Sequence, residues 1–121
     1  MPRTRVVFFK DDDHSVPFLD WFDQLPSKVQ AKCLVRLERL RELGYELRRP
    51  EADFLRDDVY ELRIRHQSVN YRVLYFFHVK NVAVVSHGLQ KEKAVPPKEI
   101  DLAVKRKIRF VTEPTQHTHE E

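Results

Sequence analysis

The 121-residue sequence predicts a single α+β domain with the element order β-α-α-β-β-β-α, its antiparallel sheet packed against two N-terminal helices. Three observations carry that expectation. Residues 59–91 read as three consecutive strands. Two segments before them carry apolar residues at helical spacing, and a third such segment follows Pro96-Pro97.

The strand region is the clearest. Tyr60, Leu62 and Ile64 alternate with Glu61, Arg63 and Arg65, which gives one apolar and one charged face. Asn70 to Val79 contains no Gly or Pro and is apolar on both sides apart from Arg72 and His78, as a central strand covered on both faces should be. Asn81 to Gln90 is apolar until it ends in Ser86, His87, Gly88 and Gln90, with Lys91 beyond.

Ahead of the meander, Val6 to Lys10 is a short apolar run and an expected first strand. Ser15 is an expected N-cap, with Pro17 in the first turn of a short helix. Phe18, Trp21, Phe22 and Leu25 stripe one face of that helix, and Pro26 ends it. Ser27 with Gln30 forms a capping-box pattern for the next helix. Val29, Cys33, Leu37, Leu40 and Leu43 share one face of it, and Gly44 stops it. Cys33 inside this stripe reads as packing, not as a nucleophile. Arg36, Arg39 and Arg41 fall on the other sides as solvated surface, and residues 45–58 read as irregular chain.

After the meander, Pro97 and Glu99 suit the first turn of a last helix. Its expected apolar face is Ile100, Ala103, Val104, Ile108 and Val111. From Thr112 onward no apolar periodicity remains, so the domain is expected to span residues 1–111 and residues 112–121 to form a disordered tail.

Composition narrows the function classes. Hydrophobic residues make up 41% and charged residues 34%, and no apolar run approaches the roughly 18–20 residues of a membrane span. The N-terminal apolar run is short and is interrupted by Asp11, Asp12 and Asp13, unlike a secretory signal. One cysteine excludes an internal disulfide and suits a reducing compartment, so a cytoplasmic location is expected. Six scattered histidines lack metal-ligand spacing, and only two glycines are present, which excludes Gly-rich phosphate loops. Neither a metal nor a cofactor is expected. The bases gather late: residues 91–109 hold seven Lys/Arg against three Asp/Glu, a mild pointer to an anionic partner.

The polar face of the meander is the candidate site. Arg63 and Arg65 share a strand face, Arg72 begins the next strand, and His87 and Lys91 lie at the end of the third. Short turns would bring these ends together. Two readings stand: an anion, such as a phosphodiester, binds among the bases, or Glu61 and nearby acids simply neutralise them.

The stretch VYELRIRHQSVNYRVLYFF, followed by VVSHGLQKEKAVPPKEIDLAVKR, resembles the phage-associated HigB-type branch of the RelE/ParE toxin superfamily. The matching pieces are Glu61-Leu62-Arg63, Tyr71-Arg72 with Tyr75, His87-Gly88 with Lys91, and Pro97-Lys98-Glu99-Ile100 with Ala103. Leu25-Pro26 fits as well, and the resemblance covers about residues 5–110. It implies a RelE-like fold and the toxin of a type II toxin–antitoxin pair. The implied activity is a metal-independent endoribonuclease that cuts mRNA on the ribosome by 2′-hydroxyl attack. A cognate antitoxin, a helix-turn-helix protein by analogy, is the implied protein partner. The expected catalytic residues are Arg63, Arg72, His87 and Lys91, with His87 the proton carrier because an imidazole titrates near neutrality. The expected RNA contacts are Arg65, Gln90, Lys93 and Arg106. Three departures from the pattern are Glu61, where RelE itself has lysine although Glu is usual in this branch, the lack of a tyrosine after the third strand, where Pro96 lies, and Glu92, where a second lysine is usual. The alternatives on the same fold are a ParE-like inhibitor of DNA gyrase that cleaves nothing and an inactive RNA- or protein-binding relic.

Overall fold

The alternating pattern of residues 59–90 builds the centre of a six-stranded sheet. In the computed structural model, which describes residues 3–79, 81–91 and 93–121, the elements are β1 (Arg5–Phe9), α1 (Pro17–Phe22), α2 (Ser27–Leu43), a 3-10 turn (Gly44–Glu46), β2 (Ala52–Arg56), β3 (Val59–His66), β4 (Val69–His78), β5 (Val82–Gln90), α3 (Pro97–Thr112) and β6 (Thr118–His119). Glu92 lies outside the described residues. The strand order is β2-β3-β4-β5-β1-β6. Every pairing is antiparallel except β1 with β5, which is parallel. The α+β architecture therefore stands, with one parallel pair inside a sheet expected to be antiparallel.

Both faces of the sheet are covered, as the apolar β4 requires. On one face Val6, Phe8, Leu62, Ile64, Val73, Tyr75, Ala83 and Val85 meet Phe18 of α1 and Val29, Cys33, Leu37 and Leu40 of α2. On the other, Val7, Phe9, Phe76 and Val84 meet Phe110, while Val59 and Leu74 meet Ile100 and Ala103 of α3. Trp21 explains Gly88. A Cβ on Gly88 would lie 2.2 Å from Trp21 Cε3, so only glycine lets α1 approach β5 this closely.

Several expectations change. Ala52–Arg56, read as irregular chain, is an edge strand on β3, closed by the Asp57-Asp58 turn with both residues at positive φ. Ser15 does not cap α1: its hydroxyl donates to Asp13 Oδ1 at 2.6 Å, and Val16 holds the cap position without a side-chain bond. Ser27 makes no capping bond either, and Gln30 Nε2 instead donates to Phe22 O at 2.9 Å, tying α2 to α1. Leu43 is partly exposed. The inner face of α3 is Ile100, Ala103 and Phe110, whereas Ile108 and Val111 are 62% and 53% exposed. Arg106 and Arg109, outside the expected apolar face, lie over the Phe9 ring at 5.6 and 5.3 Å.

The tail reading is also corrected. His117 is buried and stacks on Phe9 at 5.0 Å, and its backbone carbonyl accepts from Lys10 N at 2.9 Å. Thr118 and His119 then pair with Phe9 and Phe8 as β6. The segment has no local periodicity because its order comes from closing the edge of β1, a partner more than 100 residues away.

Candidate anion-binding cleft

Arg63 and Arg72 face each other directly across the β3–β4 pair. Like charges in that position repel, so something must lie between them. Within the protein it is Glu61, two residues before Arg63 and on the same face. Its Oε1 is 3.2 Å from Arg72 Nε, and its Oε2 is 3.7 Å from Arg63 Nε. Glu61 and Arg72 are both buried, while Arg63 is half-buried. Burial raises the Glu61 pKa above the ordinary carboxylate value, against the pull of Arg72 and Arg63. Burial likewise lowers that of Arg72.

These three side chains floor a cleft of about 540 Å³ on the face that α3 leaves open. Arg49, Arg56, Arg65 and Lys93 join Arg63 and Arg72 around it, so among the described residues six cations meet two carboxylates, Asp53 and Glu61. Arg49 is held by Asp53 at 2.8 Å, and Arg56 by Asp57 and Asp101 at 2.6 and 2.8 Å. Among the described residues no carboxylate pairs with Arg65 or Lys93. Glu61 does pair with the arginines, yet one carboxylate serves two of them, and among the described residues the lining keeps an excess of positive charge.

Arg63 is positioned from behind. Its N–H donates to Glu51 O at 2.8 Å, and its carbonyl accepts from Arg36 Nε at 3.1 Å. Arg36 Nη1 and Arg39 Nε grip the Glu51 carboxylate at 3.0 and 2.9 Å. The helix arginines read as solvated surface therefore fasten α2 to the segment beside β3. Arg39 lowers the Glu51 pKa most, chiefly through this hydrogen bond.

The structure divides the eight expected site residues. Arg63, Arg65, Arg72 and Lys93 line the cleft. Gln90 and Lys91 line an adjoining hollow. His87 and Arg106 are in neither. His87 is buried between the sheet and α3, with Nδ1 2.8 Å from Ser86 Oγ and Nε2 2.9 Å from Glu99 Oε1. Burial, helped by Arg106, lowers its pKa. Arg106 turns inward to Ser86 Oγ at 3.3 Å and to the Phe9 ring. Together these side chains fasten α3 to β5 and β1. Sequence reasoning gave Glu61 only the part of a neutralising acid and did not count it among the site residues. Its signal was present: a carboxylate at spacing two from Arg63 on a charged strand face.

What the cleft can do chemically follows from its parts. Fixed guanidinium groups can hold a phosphate and the added charge of its transition state. A buried carboxylate with a raised pKa is a better proton acceptor than an exposed one.

Among the described residues, no helix is long and apolar enough to cross a membrane. No curated protein matches the chain. Residues 20–107, from within α1 to the last turns of α3, match the family described as phage derived protein Gp49-like (DUF891). The chain belongs to the Gp49-like family of phage-derived proteins.

Proposed function

We infer that the protein is the toxin of a type II toxin–antitoxin pair and acts as an endoribonuclease on mRNA, in the setting of the ribosome. The Gp49-like family is related to toxins of the RelE type, which supports the class. The observation that carries the chemistry is the buried Glu61 carboxylate between Arg63 and Arg72 at the floor of a cationic cleft.

In this reading the scissile phosphate sits on Arg63 and Arg72. The neighbouring 2′-oxygen attacks phosphorus and its proton passes to Glu61. The bond to the 5′-oxygen breaks, and that oxygen takes a proton from water. The products are a 2′,3′-cyclic phosphate and a 5′-hydroxyl, and no metal takes part. RNA is the substrate because only RNA carries the attacking hydroxyl. Loss of one preorganised donor such as Arg63 typically costs about 100- to 1000-fold in rate. At rest the excess positive charge of the cleft is countered by a cognate antitoxin, a helix-turn-helix protein with acidic or apolar residues in the contacting segment. The second reading, a gyrase inhibitor without catalysis, would need the cationic face and would leave Glu61 only the structural task of neutralising Arg63 and Arg72.

Primer extension on cellular mRNA after induction separates the two. Cut ends that accumulate with the wild type and disappear with Arg63→Ala support the nuclease. Intact mRNA with stalled DNA supercoiling overturns it.

A further inference from the structure

Beside the arginine cleft, a second hollow of about 460 Å³ is lined by Ser68, Val69, Asn70, Gln90, Lys91 and Lys93. It wraps around the open end of the sheet. Strand alternation puts Val69 and Gln90 on the side of α1 and α2, and Asn70 and Lys91 on the side of the cleft. The framework is firm there. The β3–β4 turn takes only Gln67 and Ser68, since His66 pairs with Val69, and Lys91 N donates to Asn70 O at 3.0 Å. Asn70 and Lys93 line both hollows, so the two form one continuous path.

The lining changes in kind along that path. The cleft presents guanidinium groups and Glu61, suited to a phosphate and a proton. Among the described residues, the hollow presents two carboxamides, a hydroxyl, two ammonium groups and one apolar side chain, and no carboxylate. A carboxamide offers a donor and an acceptor side by side and can bond two atoms of one base edge, whereas a cation on a phosphate carries no sequence information. The volume lies within the range of small-ligand sites, about 300–1,000 Å³.

We propose that this hollow holds the nucleotide next to the cut phosphate, with the Gln90 carboxamide reading its base edge and Lys91 and Lys93 holding the adjoining phosphate. The proposal rests on the RNA-cleaving reading and adds base selectivity to it. The base must be unpaired for its edge to be reached, so the substrate is single-stranded at this position.

The test uses short single-stranded oligoribonucleotides with a 2′-deoxy sugar at the cut site and each of the four bases beside it. Their binding to the full chain is followed by fluorescence anisotropy. Wild type should prefer one base by about ten-fold. Gln90→Ala should bring all four within about two- to three-fold, the loss expected for one bidentate contact. The Lys91→Ala, Lys93→Ala double variant should weaken all four alike and reduce the log–log salt slope by about 1.4, the value for two phosphate contacts on a single strand. A Gln90→Ala protein that keeps the wild-type ranking, or a wild type with no base preference, overturns the proposal. If Arg63→Ala still weakens binding in that case, the cleavage reading survives. If no oligonucleotide binds, the proposal falls, and the cleavage reading is decided separately by whether ribosome-bound mRNA is cut. Binding of poly-glutamate in place of RNA, lost in the lysine double variant, would make the hollow a protein-docking site and overturn the proposal as well.

Discussion

Arg72→Ala is the substitution whose outcome the cleft geometry fixes most tightly, and it concerns stability before activity. Arg72 and Glu61 are 9% and 8% exposed at the side chain and lie 3.2 Å apart. Removing one partner of such a buried pair leaves the other charge uncompensated, which costs about 3–5 kcal/mol. Arg63 is 30% exposed and 3.7 Å from the same carboxylate, so Arg63→Ala should cost no more than about 1 kcal/mol. Urea unfolding at pH 7 reads the difference directly. With a slope of about 2 kcal/mol per molar, Arg72→Ala should lower the midpoint by about 2 M and Arg63→Ala by at most about 0.5 M. The pH dependence has a fixed sign. Burial already raises the Glu61 pKa, and loss of Arg72 raises it further. A carboxyl whose folded pKa is raised stabilises the fold below its unfolded value, and that contribution is lost as pH rises through the folded value. The penalty of Arg72→Ala should therefore shrink as the pH is lowered and Glu61 takes up a proton. Glu61→Met in the Arg72→Ala background should recover most of the loss. Equal destabilisation by the two arginine variants, or a penalty that grows on acidification, would refute the reasoning. It also follows that loss of toxicity in Arg72→Ala alone says little about catalysis, whereas Arg63→Ala says much.

Three other outcomes are expected. Gly88→Ala would press a methyl into the Trp21 ring, which is itself flanked by Phe18 at 5.8 Å and Tyr71 at 6.3 Å. Overpacking of this kind costs about 1–3 kcal/mol, and a Tm unchanged from wild type would contradict the close approach. His87 has a lowered pKa because it is buried, so its neutral form stabilises the fold above the unfolded value near 6.5, and that stability is lost as pH falls below it. Wild type should lose Tm between pH 7 and 5.5 more steeply than His87→Gln, and equal slopes would show that His87 charges freely in the fold. Deleting residues 113–121 should uncover Phe9 and the β1 edge and lower stability by about 1–3 kcal/mol, read by thermal melting; an unchanged Tm would mean that the tail does not pack as β6.

The parts legible in the sequence were those whose signal is local. The β3–β5 meander carries its own alternation, and Val29, Cys33, Leu37 and Leu40 mark the buried side of α2 by spacing alone. β2 was hidden because an edge strand needs apolar residues on one side at most, and in Ala52–Arg56 only Ala52 is buried. β6 was hidden because its partner is at the other end of the chain. The face of α3 was misjudged because a count of apolar residues cannot see Arg106 and Arg109 settling on an aromatic ring. In the site, the pairing of Arg63 with Arg72 followed from a short turn. The roles of Glu61 and His87 did not, because they depend on which half of the sheet α3 covers. It covers His87 and leaves Glu61 open to the cleft.

End-group analysis of the cut RNA tests the proposed chemistry most directly. The purified protein is given ribosome-bound mRNA with either ribose or 2′-deoxyribose at the cleavage position, with ribosome integrity controlled when EDTA is added. The expected result is cutting of the ribose substrate alone, EDTA or not, to leave a 2′,3′-cyclic or 3′-phosphate and a 5′-hydroxyl, with Glu61→Gln slowed by about 100-fold or more. Cutting through the 2′-deoxy linkage, or at the wild-type rate by Glu61→Gln, would contradict it.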